Sequence, residues 1–239
     1  MQESSHEERE RQRLLAQYSE IATLAGGLAH EIRNPLSTIG MNLELLIEDL
    51  EDPQSPRERR MFTKIRLLQQ ECRNLEEILN AFLQFARAGE LDLEPADLNE
   101  QVGRFIEFYQ PLAREHQIEL SPHLDPDLPR VMLDASLMRQ VWMNLTQNAQ
   151  QAMPHGGLIE FQTYFRDNMV HLDLIDNGDG MDERVKSNMF QAFFSTKRNG
   201  SGLGLATVRK IVAAHNGVLK CESELGRGTR FTVSLPPVS

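Results

Sequence analysis

Two runs of apolar residues, spaced by alternating four- and three-residue steps, constrain this chain more than any other feature. The first holds Leu14, Tyr18, Ile21, Ala25, Leu28 and Ile32, then Leu36, Ile39, Leu43, Leu46 and Leu50. The second holds Met61, Ile65, Leu68, Cys72, Leu75, Leu79, Phe82 and Ala86. This spacing is the a/d seam of a coiled coil or helical bundle. Pro35 interrupts the alternation, and a proline inside a helix removes a hydrogen bond and bends the axis. Between the runs, residues 51–57 (EDPQSPR) carry two prolines and a serine and read as a loop. Two long amphipathic helices joined by a short loop make an antiparallel hairpin. One hairpin cannot bury its whole stripe, so pairing with a second copy as a four-helix bundle is the natural solution. The alternative is a monomer whose stripe packs on the rest of the chain.

After AGELDLEPADL the period changes. Helical patterns near 97–115, 135–152 and 203–215 mix with four strand-like runs: LIEFQTYF (158–165), MVHLDLID (169–176), GVLKCES (217–223) and TRFTVSL (229–235). Turn signals separate them, including PHGG at 154–157 and RDN at 166–168. Such a mixture predicts an α/β sandwich with helices over one sheet face. The fold class expected for the whole chain is therefore α+β, a helical hairpin followed by a sandwich.

Composition narrows the function. A formal charge of −10 argues against broad nucleic-acid binding, which depends on Lys and Arg neutralising phosphates. Only Cys72 and Cys221 occur, with no CxxC, which disfavours a disulfide framework or a structural zinc site. No run approaches the roughly 18 apolar residues of a membrane span, and MQESSHEERERQR has no apolar signal-peptide core. These features read as cytoplasmic.

Several short segments carry candidate chemistry. In AHEIRNPL (29–36), Leu28 is a seam residue and His30 falls two positions on, facing outward. An exposed imidazole on a rigid helix can act as a nucleophile, since it is partly neutral near pH 7. Asn34 lies one turn later on that face, and Glu31 points roughly 100° away with its carboxylate still in reach of the ring. Alone, an exposed histidine is usually just that. NLTQNAQQAMP (144–154) puts Asn144 and Asn148 on one helical face, where amide oxygens suit a hard, largely hydrated cation such as Mg²⁺. An ordinary polar helix face explains the same spacing. DNGDGM (176–181) follows a strand-like run, so Asp176 could accept a hydrogen bond from an exocyclic amine while Gly178 and Gly180 admit a base close to the backbone. A plain acidic turn reads the same way. GSGLGLATVRKIVAAH (200–215) runs a glycine-rich stretch into a helix start, offering N–H groups to phosphates. Neither a Walker pattern nor a GxGxxG after a first strand is present.

Together these motifs resemble bacterial two-component sensor histidine kinases over nearly the whole chain from about residue 14. AHEIRNPL looks like the H-box, NLTQNAQQAMP the N-box, DNGDGM the first glycine box, FQAFFSTK (190–197) the F-box and GSGLGL the second glycine box. FFSTK and the form AHEIRNPL look most like the nitrogen-regulatory subgroup. The resemblance implies the end of a signalling helix over 1–20 and a dimerisation and histidine-phosphotransfer hairpin over 10–90. It implies a GHKL-type ATP-binding domain over 96–239. It also implies ATP and Mg²⁺, a homodimer, and a response regulator receiver domain as partner. His30 would accept the γ-phosphoryl group, with Glu31 as general base and Asn34 as the residue that orients water for dephosphorylating the regulator. Asp176 would bind the adenine amine beside Gly178 and Gly180, Asn148 would hold Mg²⁺, and Asn144 would face the phosphates. Gly202, Leu203 and Gly204 would line the phosphates. Residues 182–201 would form an ATP lid, with Phe193 and Phe194 packing its hinge and Lys197 near the γ-phosphate.

Two departures stand out from the family pattern. Gln150 and Gln151 make the N-box helix more polar than is common, and Trp142 stands where a smaller aliphatic residue is frequent. No sensor domain is present, so input would come from elsewhere in a longer protein or from a partner. Two rival readings are a GHKL ATPase of the gyrase, mismatch-repair or chaperone classes, and an ATP-binding dimeric scaffold lacking turnover. The heptad hairpin with its H-box speaks against the first, and the intact set of candidate ligands against the second.

Overall fold

The computed structural model describes residues 32–50, 53–87, 91–197 and 200–238. Two compact units emerge, a helical one up to Arg87 and an α/β one containing Ala88–Thr196 and Gly202–Ser239.

In the helical unit, α1 (32–48) and α2 (Pro56–Arg87) are the hairpin that the heptads predict. Helix α2 starts inside the segment read as a loop, and the reason is local. Ser55 Oγ accepts from Glu58 N (3.2 Å), while Glu58 Oε2 accepts from Ser55 N (3.1 Å) and Gln54 N (2.8 Å). This reciprocal capping box satisfies helix-start amides, and Pro56 sits at the first helical position where its missing N–H costs nothing. The same bonds to Ser55 and Gln54 hold the Glu58 carboxyl below its ordinary pKa. Leu36, Leu43, Leu83 and Ala86 are buried, but Ile39, Leu46, Met61, Leu68 and Leu75 of the seam stay exposed. The first seam residues, and the carbonyl of residue 31 that Pro35 would leave without its helical partner, lie outside the described residues.

The α/β unit is a five-stranded sheet of order β2-β4-β5-β7-β6. Its strands are β2 (Ile118–Leu124), β4 (Gly157–Arg166), β5 (Met169–Asp176), β6 (Val218–Glu224) and β7 (Gly228–Leu235). A small antiparallel pair, β1 (Glu94–Ala96) with β3 (Val131–Leu133), stands apart. Strand β2 runs parallel to β4, and the other neighbours are antiparallel. Helices α3 (Leu98–Glu115), α4 (Ala135–Gln151) and α6 (Gly204–Ala214) supply the second layer, and α5 (Glu183–Asn188) is a short excursion. Ile159, Phe161, Val170, Leu172, Leu174, Phe231 and Val233 are buried on the helix-covered face. The opposite face carries Glu160, Gln162, Tyr164, His171, Asp173 and Arg230, the alternation of a half-covered sheet. Asp176 has the parity of the covered face, so the last residue of β5 turns a carboxylate toward the helix layer.

Helix α4 carries both departures from the family pattern, and α3 accommodates them. Trp142 packs at 5.9 Å between ring centroids on Phe105, which also stacks with Tyr109. The Tyr109 hydroxyl donates to Gln150 Oε1, and burial pushes its pKa up to about 12, so it remains a donor. At its other end α4 is capped by Asp134, whose carboxylate accepts from Ser136 N (2.9 Å) and Leu137 N (3.0 Å). Burial alone would raise the Asp134 pKa, but bonds from Leu137, Ser136 and Asp92 together hold it low. Among the described residues no helix is long and apolar enough to cross a membrane.

Candidate active site

The α/β unit brings the candidate nucleotide-binding residues to one end of its layers, where β5 finishes under α4 and α6 begins. Asp176 is 5% exposed, and its Oδ1 accepts from Gly178 N at 3.0 Å. Burial raises its pKa, with the backbone N–H groups of Gly178 and Thr229 pulling the other way. A buried acceptor at a strand end is suited to an amine that brings its own hydrogens.

The turn after Asp176 is clamped on both sides. Asp179 N donates to Ala152 O at the end of α4 (3.1 Å), and Gly226 N donates to Asp179 O (2.7 Å). A Cβ at Gly178 would lie 2.8 Å from Ala152 Cβ and from Ala152 O. Gly180 has φ +65°, and its Cβ would lie 2.1 Å from Glu224 O. Both glycines are therefore needed for close approach of backbone to backbone, before any ligand is considered.

Asn144 and Asn148 lie one turn apart on α4, both half-buried. A Cβ at Gly204 would sit 3.7 Å from Asn144 Oδ1, so the start of α6 stands against the candidate metal face. Leu203 is fully buried at the N-cap of α6, and its own apolar side chain makes no capping hydrogen bond. Gly202 adopts φ +68°, with its carbonyl accepting from Phe193 N (3.0 Å) and no room for a Cβ, which would lie 2.4 Å from Phe193 C. This left-handed residue turns the chain into α6, whose first amides carry the positive end of the helix dipole.

The lid segment starts with α5, capped by Asp182 Oδ1 on Val185 N (2.7 Å). Phe193 ties the segment to Gly202 through its backbone, while the residue as a whole is 66% exposed. Phe194 is half-buried and Lys197 exposed. The aromatic ring of this motif that packs on the core is Phe190, with Arg209 over its face at 5.7 Å. In the helical unit Asn34 is exposed on α1, and its carbonyl accepts from Thr38 Oγ1 (3.0 Å). His30 and Glu31 lie outside the described residues.

Sequence reasoning missed two residues at this end of the sheet. Thr229 pairs with Asp176 in the β5–β7 register and is 7% exposed, and its hydroxyl lies 3.0 Å from Ser223 Oγ. Gly228 has φ +94°, and its Cβ would lie 2.0 Å from Asp176 O. The available signal was the GRGT turn between two strand-like runs, which looks like any hairpin until Asp176 is seen beside it.

The site's donor set fits ATP with Mg²⁺. Neutral amide oxygens at Asn144 and Asn148 leave a hard cation to be held largely by phosphate and water, the habit of Mg²⁺. Among the described residues no group of three or more His, Cys, Asp or Glu offers a metal cage of another kind.

Comparisons with known proteins point to two kinds of domain. Residues 133–239 match the family described as histidine kinase-, DNA gyrase B-, and HSP90-like ATPase, and residues 20–91 match the His Kinase A (phospho-acceptor) domain. The histidine-protein kinase AtoS of Escherichia coli is 32% identical over 95% of this chain and 37% of its own length. The sensory histidine kinase/phosphatase NtrB of Azospirillum brasilense is 33% identical over 90% of this chain and 56% of its own. The histidine kinase ThkA, solved in complex with response regulator protein TrrA, superposes with a TM-score of 0.66 at 27% identity, over 98% of this chain and 66% of that one. The chain thus spans about a third to just over half of the length of these two curated relatives. With a phosphoacceptor segment joined to an ATPase-type domain, this chain belongs to the sensor histidine kinases.

Proposed function

We propose that the chain binds ATP with Mg²⁺ at the β5–α4–α6 end of its sheet, transfers the γ-phosphoryl group to His30, and passes it on to an aspartate of a response regulator. The observation that carries this reading is the convergence of buried Asp176, the Asn144–Asn148 face and the start of α6 at Gly204, which stands against Asn144, on one end of the α/β unit. We assign the hairpin over 10–90 to dimerisation and phosphotransfer, 96–239 to nucleotide binding, and 1–20 to signal input.

Asp176 accepts from the adenine amine and so selects the base, while Gly178 and Gly180 keep the adjoining backbone close. Asn148, with Asn144 beside it, holds Mg²⁺, which when bound neutralises phosphate charge. The amides at Gly202, Leu203 and Gly204 meet the phosphate oxygens, and Lys197 adds charge near the γ-phosphate. A nitrogen of His30 then attacks the γ-phosphorus. The bond to the bridging oxygen breaks with its electrons going to ADP, and Glu31 takes the imidazole proton. Such transfers depend on positioning and charge rather than on covalent assistance, which suits a site of fixed amides. Asn34, one turn beyond His30, is the candidate for orienting water in a regulator-directed phosphatase reaction, an activity that appears in the name of NtrB.

Half-exposed seam residues on both helices support a homodimeric four-helix bundle, because a second hairpin would cover Ile39, Leu46, Met61, Leu68 and Leu75. The experiment is single-turnover transfer. Protein labelled from γ-labelled ATP is expected to lose its label to a cognate receiver domain within minutes. An ATP-binding scaffold would bind nucleotide and yield label on neither protein.

A further inference from the structure

His215 is 2% exposed and ends α6, far along that helix from its phosphate-facing start. Its two ring nitrogens are used in different directions. Nδ1 lies 2.8 Å from Ile211 O in the last turn of α6, and Nε2 accepts from Asp134 N at 2.9 Å. This pattern assigns the ring proton to Nδ1. Asp134 is the N-cap of α4 and is itself fastened by Asp92 N on Oδ2 (3.1 Å). His215 therefore ties the end of α6 to the start of α4.

The other ends of the same two helices meet at Gly204 and Asn144. From Asp134 to Asn144 the chain climbs ten residues, and from Gly204 to His215 eleven. At the α-helical rise these lengths are about 15 and 16.5 Å, so the two contacts close a matched antiparallel frame. Val208, Ile211 and Val212 already bury the inner side of α6. Apolar contact of that kind is non-directional, whereas a buried hydrogen bond has a fixed length and angle. Sliding α6 by one residue would displace its start by about 1.5 Å, a scale on which phosphate positioning is lost.

We propose that His215 is a positioning residue, an axial stop that fixes the register of α6 on α4 and thereby sets the Gly202–Gly204 amides against Asn144 and Asn148. The inference rests on the reading that these groups hold the phosphates and Mg²⁺ of ATP. It adds a residue outside all five motifs to the machinery of the site.

Two substitutions separate the two bonds of the ring. His215→Asn reaches the Nδ1 position and can still cap Ile211, but it falls short of Asp134 N. His215→Gln reaches the Nε2 position and can still accept from Asp134 N. In the full chain, His215→Asn is expected to raise the KM for Mg·ATP about tenfold, the effect of one misplaced buried bond, while affinity for adenosine stays within about twofold of wild type. His215→Gln is expected to restore Mg·ATP affinity. Adenosine lacks phosphates and reports only on the Asp176 end, so a general loss of folding would weaken both ligands together.

Equal Mg·ATP affinity in both variants and wild type, or parallel loss of ATP and adenosine, overturns the proposal. If His215→Asn does not fold, His215→Gln decides alone: wild-type Mg·ATP affinity supports the stop, and a tenfold loss with normal adenosine binding overturns it. Failure of wild type itself to bind Mg·ATP would instead overturn the nucleotide reading on which the inference rests.

Discussion

Asp176→Asn is expected to weaken ATP binding by about ten- to hundredfold without unfolding the protein. The isosteric amide keeps an oxygen to accept from Gly178 N, so the turn at 176–180 retains its hydrogen bond. It loses the charged acceptor for an exocyclic amine, a bond worth about 1.5–3 kcal/mol when one partner is ionised. The NH₂ group would also face the ligand's own donor. Stability should move the other way. Burial raises the Asp176 pKa in the folded protein, so the folded state binds a proton more tightly than the unfolded one. Stability therefore falls as pH rises from the ordinary carboxylate range through the raised folded pKa, and above it the buried charge is a standing cost. The asparagine variant escapes that cost, so its melting temperature at neutral pH should equal or exceed that of wild type. Thermal melts against pH, paired with isothermal titration of Mg·ATP, check both halves. A variant that binds ATP normally would remove Asp176 from the site.

Gly228→Ala should be the most damaging single methyl group in the α/β unit. The added carbon would meet the carbonyl oxygen of Asp176 at 2.0 Å, from a residue at φ +94°. Neither backbone can readily retreat, because the β5–β7 ladder closes on the adjacent pair Asp176–Thr229 and Gly228 itself pairs with Glu224 of β6. Overpacking of this kind costs about 1–3 kcal/mol, and the left-handed backbone adds roughly 1–2 kcal/mol for a residue with a Cβ. Gly226→Ala is the control. Its φ is +79°, but nothing lies within 4 Å of the added carbon, so only the backbone cost of about 1–2 kcal/mol remains. Chemical denaturation should rank wild type above Gly226→Ala and Gly228→Ala well below both, with ATP affinity of the last falling alongside because the clash lands on Asp176.

Much of the sheet is legible in the sequence because its strands are half-covered. In β5, Val170, Leu172, Leu174 and Asp176 point in and His171 and Asp173 sit on the other face, which is the period-two signal itself. Strand β2 escapes that reading. It is an edge strand, and Pro122 within it is tolerated only because one side needs no ladder bond. Strands β1 and β3, three residues each, are too short for any period to register. The start of α2 shows the opposite case, where Ser55-Pro56 followed by Glu58 is a readable cap inside a stretch whose prolines suggest a loop.

Candidate site residues divide in the same physical way. Motifs made of neighbours in sequence, such as Asn144 with Asn148 or Asp176 with Gly178 and Gly180, are visible without a structure. Thr229, Gly228 and His215 are not, because each matters through a partner at least 52 positions away in the chain. Phe190, Phe193 and Phe194 are indistinguishable as letters. Only packing separates Phe190, which lies on the core, from Phe193, which is exposed while its backbone holds Gly202.

Whether His30 receives the γ-phosphoryl group of ATP is decided by the chemical stability of the label that the protein acquires. The full chain and its His30→Gln variant are incubated with Mg²⁺ and γ-labelled ATP, after both are shown to bind Mg·ATP equally. Wild type is expected to carry label that is lost in acid, stable in alkali and absent from the variant, the behaviour of a phosphorus–nitrogen bond. Label of the same strength on His30→Gln, or wild type that binds ATP and acquires none, would contradict transfer to His30.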